Sequence, residues 1–176
     1  NIGYFFYNGG GDSADTCYKV SQLSEKMGYP VQAIHVPKPV DNDLPITDCC
    51  PGFGSVAKYI AVSTLEASFD VRSMSKTSTK IFVLEVMGRH AGWIAAAGGL
   101  VEDHGIPVVI LFPEIEFDQA KFLALVETKV KKHGFCTIVV SEGCHYPDGK
   151  FLAEQGTRDA FGHAQRFVAV ASDRHF

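Results

Sequence analysis

Short apolar runs alternate with longer amphipathic segments along this chain. Asn1–Tyr7, Val31–Val36, Lys80–Val86, Pro107–Phe112 and Phe135–Val140 are rich in β-branched and aromatic residues, and each reads as a strand. Between them lie helical patterns. A helix is predicted from Asp12 or Ser13, either of which can cap it, to about Met27, with Val20, Leu23 and Met27 on one face and Gly28 as the stop. A second is predicted over Ser55–Met74, with Val56, Ile60, Ala67 and Val71 on a common face. Ala91–Asp103 reads as an Ala/Gly-rich helix with Trp93 and Leu100 in the core. Asp118–His133 follows, capped by Asp118 and ended by Gly134, with Phe122, Leu123, Val126 and Val130 inward. Lys129, Lys131 and Lys132 near its negative end read as surface charges.

Strand, helix, strand, helix with short connections predicts an α/β fold. The expected architecture is doubly wound, with a mostly parallel sheet and helices on both faces. A sheet of that kind places its ligand crevice beyond the carboxyl ends of the strands. The polar clusters of this sequence follow its strands directly. Asn8-Gly9-Gly10-Gly11-Asp12-Ser13 opens the first helix, and free amides there favour an anion; a plain tight turn is the alternative. Pro37-Lys38-Pro39-Val40-Asp41-Asn42-Asp43-Leu44-Pro45 crowds two carboxylates, an ammonium and a carboxamide between prolines. Charges so close need partners or a task, although a solvated turn would also accommodate them. Met87-Gly88-Arg89-His90 offers a guanidinium fork suited to phosphate oxygens, or to a surface ion pair. Glu142 ends a further strand, as a ligand or a helix cap. On one parallel sheet these four clusters would meet along one edge.

Composition narrows the class without naming a reaction. The 176 residues are 46% hydrophobic and 20% charged, a globular composition with enough chain for one core. A net charge of −4 gives no reason to expect binding to nucleic acid or an anionic membrane. No apolar run reaches a membrane span, and no signal peptide is expected. The cysteines, Cys17, Cys49, Cys50, Cys136 and Cys144, are odd in number and lack metal-knuckle spacing. A reducing cytoplasm is the expected setting, with Cys49 and Cys50 as small buried residues.

Taken together, Gly-Gly-Gly-Asp-Ser, Pro-Lys-Pro-Val-Asp-Asn-Asp, Glu-Val-Met-Gly-Arg-His-Ala-Gly and Gly-His-Ala-Gln-Arg resemble the phosphofructokinase family, from about Gly3 to Arg166. The resemblance implies transfer of a phosphoryl group to the 1-hydroxyl of fructose 6-phosphate, a reaction of glycolysis. It implies Asp41 as the general base, with Asp43 supporting the metal or orienting the base. Pro39, Val40 and Asp41 then contact substrate, and Met87, Gly88, Arg89 and Glu142 hold the sugar phosphate. His163 and Arg166 match the residues that grip the 6-phosphate. Lys80 matches a basic position that reaches a neighbouring subunit's site, so a homo-oligomer, dimer or tetramer, is expected. Gly10, Gly11 and Ser13 are expected to receive the donor phosphate, with Mg2+ bridging its oxygens near Asp43 and Asp12.

The donor also follows from the resemblance. The ATP-using branch has glycine at the positions of Asp12 and Lys38, and the pyrophosphate-using branch has Asp and Lys, as here. Asp12 would repel an α-phosphate, and Lys38 would neutralise the leaving phosphate. Pyrophosphate is therefore the expected donor. The alternatives are an ATP-dependent 6-phosphofructokinase and a non-catalytic phosphosugar-binding fragment. Several positions depart from the family pattern. Pro39 replaces a threonine, Gly11 an Asp or Asn, and Arg158 is out of register with a family arginine. Residues 1–166 are expected to be the central part of a phosphofructokinase-like catalytic region, without its first phosphate loop, and residues 167–176 an unmatched tail. The isolated fragment is expected to be inactive.

Overall fold

The computed structural model describes residues 2–152, 154–158 and 164–166, the last two segments as strands only. The chain divides into two compact units, Asn1–Val56 and Ala57–Phe176. Both contain parallel strands joined through helices, as the alternating pattern requires.

In the first unit, β1 (Tyr4–Gly9) pairs in parallel with β2 (Gln32–Pro37), and α1 (Gly11–Lys26) makes the crossover. Gly28 ends the helix as expected, with φ +63°. Its start differs: Gly10 is the N-cap, without a side-chain bond, and Asp12 and Ser13 lie in the first turn. The buried face differs too. Cys17 and Ser24 are buried, while Leu23 and Met27 are exposed. The helix packs through its small residues, which leaves the bulkier ones outside. Cys50 is buried and Cys49 exposed, so the expectation of two buried thiols holds for one of them.

The second unit takes in all but the first turn of α2 (Phe53–Met74). Its sheet has the order β3 (Ile81–Val86), β5 (Cys136–Ser141), β4 (Val108–Leu111), all parallel. The central β5 is the most buried strand, as a strand covered on both faces must be. Cys136 and Ile138 face α4 (Gln119–His133), forming a core with Val109 and Val126. Thr137 and Val139 point the other way. Thr137 Oγ1 is 2.8 Å from Ser68 Oγ on α2, and a side chain at Gly98 would come within 2.7 Å of Val139. This sheet is therefore wound on both faces.

Four local expectations change here. The helix predicted over Ala91–Asp103 is a short α3 (Trp93–Ala97) that tightens into a 3-10 segment, Gly98–His104. Trp93 and Leu100 are exposed, because Ala95, Ala97, Gly98 and Val101 take the buried positions. Close approach to β5 leaves no room for large side chains. Leu123 of α4 is likewise exposed, while Val126 is buried. Asp118 caps α4 as predicted, its carboxylate accepting from Lys121 N at 3.0 Å. That bond and the Lys121 ammonium hold its carboxyl below the usual range. Finally, β6 (Glu154–Arg158) and β7 (Ala164–Arg166) pair antiparallel where no strand was predicted. Among the described residues no helix is long and apolar enough to cross a membrane.

Candidate functional site

The two polar clusters of the first unit meet. The parallel register sets Gly9 opposite Pro37, and Lys38 N donates to Gly9 O at 2.9 Å. The glycine turn and the Lys38–Asp43 stretch therefore leave the sheet side by side. A side chain at Gly9 would strike Ser13, with its Cβ 2.0 Å from Oγ, so this turn tolerates only glycine. Ser13 N and Ala14 N both donate to Gly10 O at 3.1 Å as the helix begins. A Cβ at Gly11 would stand 3.4 Å from Asp43 Oδ2, so Asp43 aims its carboxylate at the glycine turn.

Beyond β2 the chain turns sharply. Pro39 is buried, and Asn42 N donates to Pro39 O at 3.2 Å. Pro39 takes part in this turn through its carbonyl, a role that needs no N–H donor. Asp41 and Asp43 flank Asn42 and are half-buried, whereas Asp12 and Lys38 are exposed. Asp43 Oδ1 is buried and has no hydrogen-bond partner among the described residues. Burial pushes the Cys50 thiol up, and the Asp43 and Asp41 carboxylates push it further, which places both acids near Cys50.

The second unit unites the other two clusters. Val86 pairs with Ser141, and Glu142 N donates to Val86 O at 2.9 Å. Ser141 Oγ donates to Gly88 O, and Gly88 N lies 3.5 Å from Glu142 Oε1. Gly88 has φ +137°, and a Cβ there would lie 2.4 Å from Ala91 O, so the turn depends on glycine. Gly92 N donates to Glu114 Oε1 at 2.8 Å, tying the far end of the loop. Met87 and Arg89 are exposed. Arg89, His90, His145, Gly143, Pro113, Gly149 and Phe151 line a cavity of about 290 Å³.

The described strands fall into separate sheets, β1–β2 in the first unit and β3–β5–β4 in the second, and each sheet brings two of the four clusters together. Lys80 precedes β3 and lies at the opposite end of that strand from Met87. Seven residues at about 3.3 Å each separate them by roughly 23 Å, beyond a lysine's reach. His163 lies outside the described residues, and Arg166 is described only as part of β7.

Sequence reasoning missed Ser141, Gly143, Glu114 and His145. Ser141 and Gly143 had a signal in their adjacency to Glu142. Glu114 had none, since it acts across 22 residues. Among the described residues no group of three or more His, Cys, Asp or Glu is arranged to hold a metal alone.

Comparison with known proteins sharpens these features. The chain is 74% identical over 167 residues to the pyrophosphate–fructose 6-phosphate 1-phosphotransferase of Methylococcus capsulatus, covering 94% of this chain and 40% of that protein. The enzyme of the same name from Halomonas elongata is 72% identical over equal shares. The chain thus spans about two fifths of the length of these curated relatives. The crystal structure of a pyrophosphate-dependent phosphofructokinase from Nitrosospira multiformis superposes with a TM-score of 0.77 at 79% identity, covering 85% of this chain and 38% of that one. The model of the phosphofructokinase family matches residues 1–174, and this chain belongs to that family.

Proposed function

We propose that this chain supplies catalytic and sugar-phosphate-binding residues of an enzyme that transfers a phosphoryl group from pyrophosphate to the 1-hydroxyl of fructose 6-phosphate. The product is fructose 1,6-bisphosphate, and the reaction is reversible and glycolytic. The observation that carries this reading is the approach of Asp43 to the glycine turn, with Asp41 two residues away. It sets acid side chains beside a phosphate-accepting turn, which phosphoryl transfer requires. The names borne by close relatives support the donor and the acceptor.

Asp41 accepts the proton of the 1-hydroxyl as that oxygen attacks phosphorus. Pro39 and Val40 contact the substrate beside it. Gly10, Gly11 and Ser13 receive the donor phosphate, and Lys38 adds positive charge where the leaving phosphate develops negative charge. Asp12 disfavours a nucleotide by repulsion. Met87, Gly88, Arg89 and Glu142 bind the sugar phosphate, and His163 and Arg166 its 6-phosphate.

Mg2+ fits the donor set. Asp43 offers a buried carboxylate oxygen with no hydrogen-bond partner among the described residues, and oxygen ligands suit a hard cation. Asp43, with Asp12 as the lesser contributor, would hold the ion together with diphosphate oxygens and water. Bound there, it would neutralise charge on the donor. Lys80, far from its own strand's ligand end, suits service to a neighbouring subunit, and hence a homo-oligomer. Residues 1–166 form the central part of the catalytic region, and the setting is the cytoplasm.

The test is a donor assay on the full-length protein, with fructose 6-phosphate and Mg2+ present and pyrophosphate or ATP supplied in turn. Turnover with pyrophosphate is expected. Transfer from ATP alone refutes the donor assignment, and binding of fructose 6-phosphate without turnover from either donor refutes the enzyme reading.

A further inference from the structure

The connection from β2 to α2 carries both acids of the proposed chemistry, yet little of it is held by packing. Ile46, in its middle, is fully exposed and has φ +61°. Asp43 Oδ1 makes no hydrogen bond among the described residues. Asn42 is different. It is 6% exposed, with φ +59°, a region that asparagine enters more readily than almost any other residue bearing a side chain. Its Oδ1 accepts from Cys50 N at 2.8 Å, and its Nδ2 donates to Asp48 O at 3.3 Å. Its own amide closes the turn on Pro39 O at 3.2 Å. One side chain thus bonds to backbone groups six and eight residues further along the chain. Cys50, at 1% exposure, is the fixed point to which it ties.

We propose that Asn42 is a positioning residue for phosphoryl transfer. Its carboxamide ties the turn to the buried Cys50 and so fixes where Asp41 and Asp43, its two neighbours, present their carboxylates. The amide is needed for both of its ends, since one bond uses a donor and the other an acceptor. The left-handed backbone of Asn42 lies at the end of the Pro39–Asn42 turn, between the two acids. Small errors in the placement of such groups are costly to rate, because near-attack geometry tolerates little displacement. The inference rests on the assignment of Asp41 as base.

The test uses the full-length protein with Asn42→Gly, which keeps the backbone conformation accessible and removes both side-chain bonds. Fructose 6-phosphate binding by calorimetry gives the number of competent sites, and kcat is expressed per site. The expected result is at least a tenfold fall in kcat, with KM for fructose 6-phosphate within threefold. Amide exchange at Cys50 should quicken at least tenfold. Asn42→Asp, which keeps the acceptor but loses the donor, serves as a second probe and should also lose at least tenfold in kcat. A per-site kcat within twofold of the unsubstituted protein in Asn42→Gly overturns the inference, as does unchanged exchange at Cys50. Failure of both variants to bind the sugar phosphate overturns it in favour of a purely structural role. An unsubstituted protein that turns over neither donor overturns the assignment of Asp41 and the inference with it.

Discussion

Gly143→Ala is the sharpest probe of the loops that follow β3 and β5. Gly143 follows Glu142 at the end of β5 and packs against the backbone of Arg89. A Cβ at this position would stand 2.0 Å from Arg89 O, 2.5 Å from its carbonyl carbon and 2.8 Å from its Cα. Side-chain carbons essentially never come within 3.0 Å of such atoms, so the Arg89 backbone must retreat by at least about 1 Å. It cannot do so freely. Ser141 Oγ holds Gly88 O, and Glu114 holds Gly92 N at 2.8 Å. Overpacking against such an anchored turn costs about 1 to 3 kcal/mol of stability. A shift near 1 Å in the guanidinium fork should lower kcat/KM for fructose 6-phosphate by about 10- to 100-fold, or roughly 1.4 to 2.7 kcal/mol. The loss should appear mainly in KM, since Arg89 is assigned to binding. Steady-state kinetics of the full-length enzyme, with Tm measured alongside, give the answer. A Gly143→Ala enzyme with the original KM and Tm would refute both the close contact and the role of the loop.

The remaining predictions concern the base, the donor and the buried thiols. Asp41→Asn should lower kcat by at least about 100-fold, as loss of a general base does, with the fructose 6-phosphate dissociation constant within threefold; unchanged turnover removes Asp41 from that role. Asp12→Gly combined with Lys38→Gly should lower kcat/KM for pyrophosphate at least about tenfold, and a double variant as fast as the parent would sink the donor argument. Burial pushes the Cys136 and Cys144 thiols up to about 11 from 9.0, so the folded state favours the neutral form. That stabilisation is present in full below pH 9 and is lost as pH rises toward 11. The stability difference between the parent and Cys136→Ala should therefore shrink by something of order 2 kcal/mol between pH 8 and 11 in urea titrations; a constant difference contradicts it.

The sequence by itself determined the α/β class, the order of elements through β5, the stops at Gly28 and Gly134, and the cap at Asp118. These depend on local chemistry: period, a missing Cβ, an acceptor three residues ahead of an amide. It also identified the acids and glycines after each strand, because parallel strands deliver their ends to ligands. Other features needed the folded chain. Ser24 was buried in preference to Leu23 because α1 approaches its sheet through small side chains. Trp93 and Leu100 were left outside because Ala95 and Gly98 took the inner positions. Glu114 reached Gly92 and Asn42 reached Cys50 through loop paths that no periodicity encodes. Likewise, only pairing between strands could decide that the glycine turn adjoins Lys38–Asp43 and that Met87–Arg89 adjoins Glu142, since hydrogen-bond partners are chosen by register and not by neighbours in the chain.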